Sequence, residues 1–218
     1  MNSYKGIIFD LDGTLANTLP DLSTAMNSML RQNSLPERSD EELLGAINMG
    51  ARQFVKLSLP EEYQNDEDFI TARHREYTSY YDKCYADRTF LYSGVYDAVK
   101  YLCGKIKLAV FSNKQHDHCK ALIEKLFDDT TFDFILGQTE LPTKPDPIGA
   151  FMIAGKLDLR PSEILYIGDS HVDMITACAA GMYPVGVSWG YRPPSVLLEY
   201  GAKSIISDAK ELKTLTTL

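Results

Sequence analysis

Residues 7–15 read Ile7-Ile8-Phe9-Asp10-Leu11-Asp12-Gly13-Thr14-Leu15, an apolar run that ends in two aspartates one residue apart and then a glycine. A short apolar run bounded by a turn residue has the character of a buried strand. The carboxyl end of such a strand is where open α/β sheets place ligands. The reading puts Asp10 and Asp12 in a cleft.

Two carboxylates in one cleft repel, and a hard cation with oxygen ligands, such as Mg2+, compensates them. A carboxylate can also attack phosphorus, forming an aspartyl phosphate that splits one hard hydrolysis into two easier steps. Asp-Gly marks ordinary turns as well, so these nine residues alone leave a capped turn and a catalytic site both open.

Three further segments bear on the choice. Ile106-Lys107-Leu108-Ala109-Val110-Phe111 reads as a second buried strand, which puts Ser112 at another carboxyl end. Its hydroxyl can donate to a phosphoryl oxygen or cap a helix that begins near Gln115. Lys144 sits in Thr143-Lys144-Pro145-Asp146-Pro147, a loop stiffened by its prolines ahead of the apolar-periodic stretch 148–157. A cation held at a fixed place stabilises charge developing on a transferring phosphoryl group; Lys114, in Asn113-Lys114, is a rival for that role. Glu163 to Gly168 reads as a third strand, followed directly by Asp169. Asp173 comes four residues later, on the same helical face as Asp169 if a helix has begun.

Together Asp10-Leu11-Asp12-Gly13-Thr14-Leu15, Ser112-Asn113-Lys114, Lys144-Pro145 and Gly168-Asp169-Ser170-His171-Val172-Asp173, in this order, resemble the haloacid dehalogenase superfamily of phosphatases and its phosphoglycolate phosphatase-like branch. The resemblance implies that Asp10 is the nucleophile. It makes Asp12 the acid/base that protonates the leaving oxygen and then activates water, and an aspartate at this position favours phosphorus over carbon–halogen chemistry. It implies a Mg2+ cofactor held by the Asp10 carboxylate, the Asp12 main-chain carbonyl and Asp169. Ser112, Asn113 and Lys144 would then bind the substrate phosphate, and Asp173 would orient Lys144 or a metal-bound water. Asn17 stands where close relatives often carry an acidic residue.

Strand-like runs ending at Phe9, Phe111, Leu136, Ile167 and Val187 alternate with helical patterns, which signals an α/β fold with a parallel sheet. The stretch after the first strand is helical instead, with apolar positions at Leu22, Ala25, Met26, Met29 and Leu30, then Phe54, Val55 and Leu57. The expected architecture is a Rossmann-like core formed by residues 1–17 and 84–218, with residues 18–83 inserted as the helical cap that the resemblance implies. Leu44 to Arg52 falls where the resembling enzymes carry a specificity loop. Arg52 can clamp an anionic substrate tail or lie solvated on a helix. Among the cap lysines only Lys56 keeps a phosphonate-cleaving reading open. Aromatics at helical spacing in Tyr77, Tyr80, Tyr81 and Tyr85 read as packing, and His171 as a helix-start surface residue. Trp189 to Pro194 reads as a loop of open role.

A net charge of −8 with no basic tract argues against a nucleic-acid partner. The four cysteines, at 84, 103, 119 and 178, show no metal or ribbon spacing and read as reduced thiols of a cytoplasmic protein. Neither a signal peptide nor a membrane span is expected, and the chain is expected to act as a monomer or homodimer. These readings converge on a Mg2+-dependent phosphatase of a small phosphorylated metabolite, with 2-phosphoglycolate as the leading substrate. The alternatives are a β-phosphoglucomutase-like, pyrophosphate-hydrolysing or phosphonate-cleaving relative, or a protein that binds without turnover.

Overall fold

The computed structural model describes residues 4–215. The chain divides into two units, Met1–Asn17 with Leu91–Leu218, and Thr18–Phe90.

The first unit is built on six strands: β1 (Gly6–Phe9), β2 (Lys107–Gln115), β3 (Phe134–Gln138), β4 (Ile164–Gly168), β5 (Tyr183–Val187) and β6 (Ser204–Ile206). Their order in the sheet is β3-β2-β1-β4-β5-β6, and every pair is parallel. Strands joined in parallel need crossovers, and helices supply them. His116–Leu126 follows β2, Ile148–Leu157 precedes β4, His171–Ala179 follows β4, and Pro194–Glu199 follows β5. A strand covered on both faces can be apolar at every position, which is why β1 and β4 are buried throughout.

The strand order fixes where chemistry can happen. From β1 the chain moves outward through β2 and β3, then returns to lay β4 on the other side of β1. That reversal is a topological switch point, the crevice of an open α/β sheet. In register, Phe9 pairs with Val110 on one side and Ile167 on the other, so β1 and β4 end at the same level while β2 runs on past them to Gln115. Asp10 leaves one lip of the crevice and Asp169 the other.

Beneath the crevice Ile8, Ala109, Phe111, Ile153 and Tyr166 form part of a continuous buried cluster. Ile8 is fully buried. Ile8→Ala is expected to lower stability by about 2–5 kcal/mol, as large-to-small changes in tight cores do. Chemical denaturation checks it, and a loss below about 1 kcal/mol would mean that the site collapses around the deletion.

The second unit is helical, with Leu19–Gln32, Asp40–Leu44, Ala51–Ser58 and Glu67–Cys84. Its first and last helices pack on each other, burying Met26, Met29, Leu30, Ile70 and Tyr77. Two of these helices are capped by side chains: Ser39 and Glu42 form a capping box, and Asp66 accepts from the Phe69 amide. Asp21 is buried because its carboxylate accepts from the amides of Arg88 and Thr89 and from the Thr89 hydroxyl. The tyrosines pack as expected, Tyr77 stacking on Tyr81 at 5.9 Å. Among the described residues no helix is long and apolar enough to cross a membrane.

Candidate active site

Four aspartates and two lysines of the first unit meet at the switch point, all of them buried: Asp10, Asp12, Asp169, Asp173, Lys114 and Lys144. Asp10 begins where β1 ends. Its amide donates to the Ile167 carbonyl at 2.9 Å, which ties the turn to β4. Its Oδ1 accepts from the Leu11 amide at 2.7 Å and lies 2.9 Å from Lys144 Nζ. Asp10 Oδ2 is buried with no hydrogen-bond partner. A buried carboxylate oxygen left so is costly, and such an atom in a crevice marks a place for a cation or a reacting group.

Lys144 is held from every side. Its Nζ lies 2.7 Å from Asp173 Oδ1 and donates to the Phe111 carbonyl at 3.0 Å. Its main chain is clamped by the Asn113 amide: Lys144 N donates to Asn113 Oδ1 at 2.8 Å, and Asn113 Nδ2 donates to Lys144 O at 3.0 Å. Asn113 thus acts here on the lysine loop. Asp173 is the third residue of the helix His171–Ala179, whose N-cap Ser170 shares a capping box with it. Its Oδ2 accepts from both Ser170 N and Ser170 Oγ, so helix start and lysine are joined through one carboxylate.

Asp12 faces β2. Its Oδ1 lies 2.8 Å from Lys114 Nζ, and its Oδ2 is 3.5 Å from the Ser112 hydroxyl. The helix that begins at His116 has no side-chain cap, so Ser112 stands in the site, not at a helix start.

Asp169 is cradled by residues whose roles the sequence left unread. Its Oδ1 accepts from the Thr14 hydroxyl at 3.0 Å and its Oδ2 from the Tyr191 amide at 2.8 Å. Trp189 Nε1 donates to the Thr14 carbonyl at 3.0 Å, and the Tyr191 hydroxyl donates to Asn17 Oδ1 at 3.2 Å. The loop 189–191 therefore belongs to the site. Gly13 adopts φ +87°, and a Cβ there would lie 2.2 Å from Asp169 Oδ2. A Cβ on Gly190 would lie 2.2 Å from Asp169 Cβ and 2.6 Å from the Gly13 carbonyl oxygen. Only backbone fits on either side of this carboxylate.

Charge and burial together define what the site can hold. Four carboxylates against two ammonium groups leave two negative charges uncompensated. Burial, then Asp173, raises the Asp10 carboxyl well above its ordinary range, with Lys144 opposing. Burial and Asp173 push Asp169 up to about 7 against its hydrogen bonds from Tyr191 and Thr14. For Lys144, burial works against the charged form, yet Asp10 and Asp173 outweigh it and hold the ammonium well above its usual value. Carboxylate oxygens of Asp10, Asp169 and Asp173 lie within 4.8 Å of one another, close enough to share one metal ion. An all-oxygen donor set with an excess charge of two suits a hard divalent cation.

Arg52 belongs to the other unit. It is exposed on the helix Ala51–Ser58, its guanidinium paired with Glu67 and donating to the Thr71 hydroxyl at 3.1 Å. His171 opens its helix with its ring against Tyr200.

Residues 7–187 match the family model described as haloacid dehalogenase-like hydrolase. The chain is 32% identical to the phosphoglycolate phosphatase of Pasteurella multocida, over 99% of both chains. It is 36% identical to that of Mannheimia succiniciproducens, over 88% of this chain and 89% of the relative. Its fold superposes with a TM-score of 0.89 on the crystal structure of a predicted phosphoglycolate phosphatase from Haemophilus somnus, at 30% identity and with all of both chains covered.

Proposed function

The chain belongs to the haloacid dehalogenase-like hydrolases and is a phosphatase acting on phosphoric monoesters, and on that premise we propose that it hydrolyses a small phosphomonoester, 2-phosphoglycolate foremost, in a Mg2+-dependent reaction through a phosphoryl group carried on Asp10. The observation that carries this reading is Asp10 itself: one oxygen fixed by Lys144 and the Leu11 amide, the other buried and unpartnered at the mouth of the switch point.

The division of labour follows from what each residue touches. Asp10 is oriented for attack because its Oδ1 is tied down. Asp12, two residues on, protonates the leaving oxygen and then takes a proton from water, since an alkoxide leaves poorly without a proton and the second step needs a base in the same place. Ser112 and Lys144 supply a hydroxyl and a fixed positive charge to the phosphoryl oxygens, and Asn113 holds the Lys144 main chain. Asp10 and Asp169, with the Asp12 main-chain carbonyl, would hold Mg2+, which when bound offsets the two excess charges and stabilises charge on the phosphoryl group. Asp173 serves the site through Lys144, because both its oxygens are already engaged. For Arg52 to grip an anionic tail it would have to exchange Glu67 for the substrate. The phosphoglycolate phosphatase names of the relatives favour 2-phosphoglycolate, and the chain is read as a cytoplasmic monomer or homodimer.

The test is phosphate release from 2-phosphoglycolate, hexose phosphates, nucleotides and pyrophosphate, with Mg2+ and with EDTA. Release that needs Mg2+ and is fastest for 2-phosphoglycolate is expected. Release unaffected by EDTA sinks the metal, and a different preferred compound reassigns the substrate.

The Asp169 cradle gives a second check. Gly190→Ala places a methyl group where Asp169 Cβ already sits, and displacement of a ligand by its surroundings typically weakens metal binding about 10–100-fold. Calorimetric titration with Mg2+ is expected to show a loss of that size, and unchanged affinity would remove Asp169 from the ligand set.

A further inference from the structure

The site contains two buried lysines, each held by its own aspartates. Lys144 serves Asp10 and Asp173. Lys114 serves Asp12: its Nζ lies 2.8 Å from Asp12 Oδ1, with 5% and 9% of the two side chains exposed. The strand explains the delivery. β2 runs on beyond Phe111, and its pairing register with β3 breaks between Phe111 and Gln115. Side chains alternate along an extended strand, so Ser112 and Lys114 point one way, to Asp12, while Asn113 points the other way, to Lys144. Lys114 N also donates to Ser112 Oγ at 3.1 Å, which fixes the hydroxyl against the same aspartate.

We infer that Lys114 is a positioning residue that assigns the two oxygens of Asp12 their separate tasks. The inference rests on the reading of Asp12 as acid/base. An ammonium carries three donors and no acceptor, so the oxygen it faces accepts a hydrogen bond and does not present a proton of its own. Lys114 therefore occupies Oδ1 whether Asp12 is ionised or neutral; the Ser112 hydroxyl, 3.5 Å from Oδ2, turns its proton to the phosphoryl oxygens when substrate binds, and the transferable proton of Asp12 then resides on Oδ2. In the first step a carboxylate oxygen of Asp10 bonds to phosphorus, the ester P–O bond breaks, and the proton on Asp12 Oδ2 passes to the leaving oxygen. In the second, Asp12 Oδ2 takes a proton from water, the water oxygen bonds to phosphorus, and the P–O bond to Asp10 breaks, releasing inorganic phosphate.

A residue that only binds phosphate or supports the fold affects all esters alike, whereas one that positions the acid affects those whose leaving group needs a proton. The experiment compares kcat/KM, each relative to the parent chain, for phenyl phosphate and p-nitrophenyl phosphate, two aryl esters whose leaving groups differ in their need for a proton, at enzyme concentrations high enough to follow slow turnover. The ratio of the two is independent of the fraction of protein that is folded. Lys114→Met is expected to lower kcat/KM for phenyl phosphate at least about tenfold more than for p-nitrophenyl phosphate, within the range that general acid catalysis supplies. Lys114→Arg, which keeps the charge, is expected to restore most of the ratio. Equal losses on both esters in Lys114→Met, loss of both included, overturn the inference. Asp12→Asn separates the two levels: selective loss on phenyl phosphate upholds Asp12 as the acid whatever Lys114 does, and uniform loss there overturns the acid/base reading itself.

Discussion

Asp10→Asn is expected to abolish phosphate release, with kcat falling by at least about 10⁴-fold, the scale on which removal of a covalent nucleophile acts. The change keeps shape and volume, and Asp10 is buried on both flanks by β2 and β4, so the effect is chemical. Stability should not fall with activity. The substitution removes one carboxylate from a group that already carries two negative charges in excess, and Lys144 keeps Asp173 at 2.7 Å. A folded, inactive variant is thus the expected outcome. The companion measurement is acid quenching during turnover of a substrate radiolabelled at phosphorus. The parent chain is expected to carry label and Asp10→Asn none. A variant that retains a tenth of the parent rate, or that still takes up label, would move the nucleophile elsewhere.

What the sequence shows and hides in this chain follows from the range of the interactions involved. The apolar runs before Asp10, Ser112 and Asp169 were legible because a strand covered on both faces leaves an unbroken apolar signature, and the residue after it is then at a carboxyl end. The stretch 148–157 was legible as a helix for the same local reason. β6, three residues long at Ser204–Ile206, is too short to carry a pattern. The end of β2 lies beyond its apolar run: hydrophobicity stops at Phe111, but the backbone stays extended to Gln115, because Ser112, Asn113 and Lys114 each find a polar partner in the site. The cradle of Asp169 was invisible for a different reason. Thr14 and Tyr191 are separated from it by 155 and 22 positions, Tyr191 contributes a main-chain amide that any residue but proline has, and a glycine such as Gly190 reads as a loop residue until something is seen pressed against it.

Lys144→Met is expected to produce the largest loss of stability of any single change in the site, about 3–5 kcal/mol, the range for removing one partner of a buried ion pair. The ammonium is 1% exposed and contacts Asp10 Oδ1, Asp173 Oδ1 and the Phe111 carbonyl. Methionine fills the space of the aliphatic stem but donates to none of them, so three acceptors lose a donor and the excess negative charge rises from two to three. Chemical denaturation should show the loss, and millimolar Mg2+ should recover part of it, because a cation at Asp10 and Asp169 offsets the same charge. The double variant Lys144→Met/Asp173→Asn should be more stable than Lys144→Met alone, since asparagine removes a charge that no longer has a partner while its side chain can still accept at the helix start. Activity should stay low in both, by about 10²–10³-fold, as expected when a fixed positive charge is withdrawn from the transferring group. A Lys144→Met chain as stable as the parent would show that the lysine is not paired as described. A chain that regains activity in the double variant would show that its role was to balance Asp173, and not to act on the phosphoryl group.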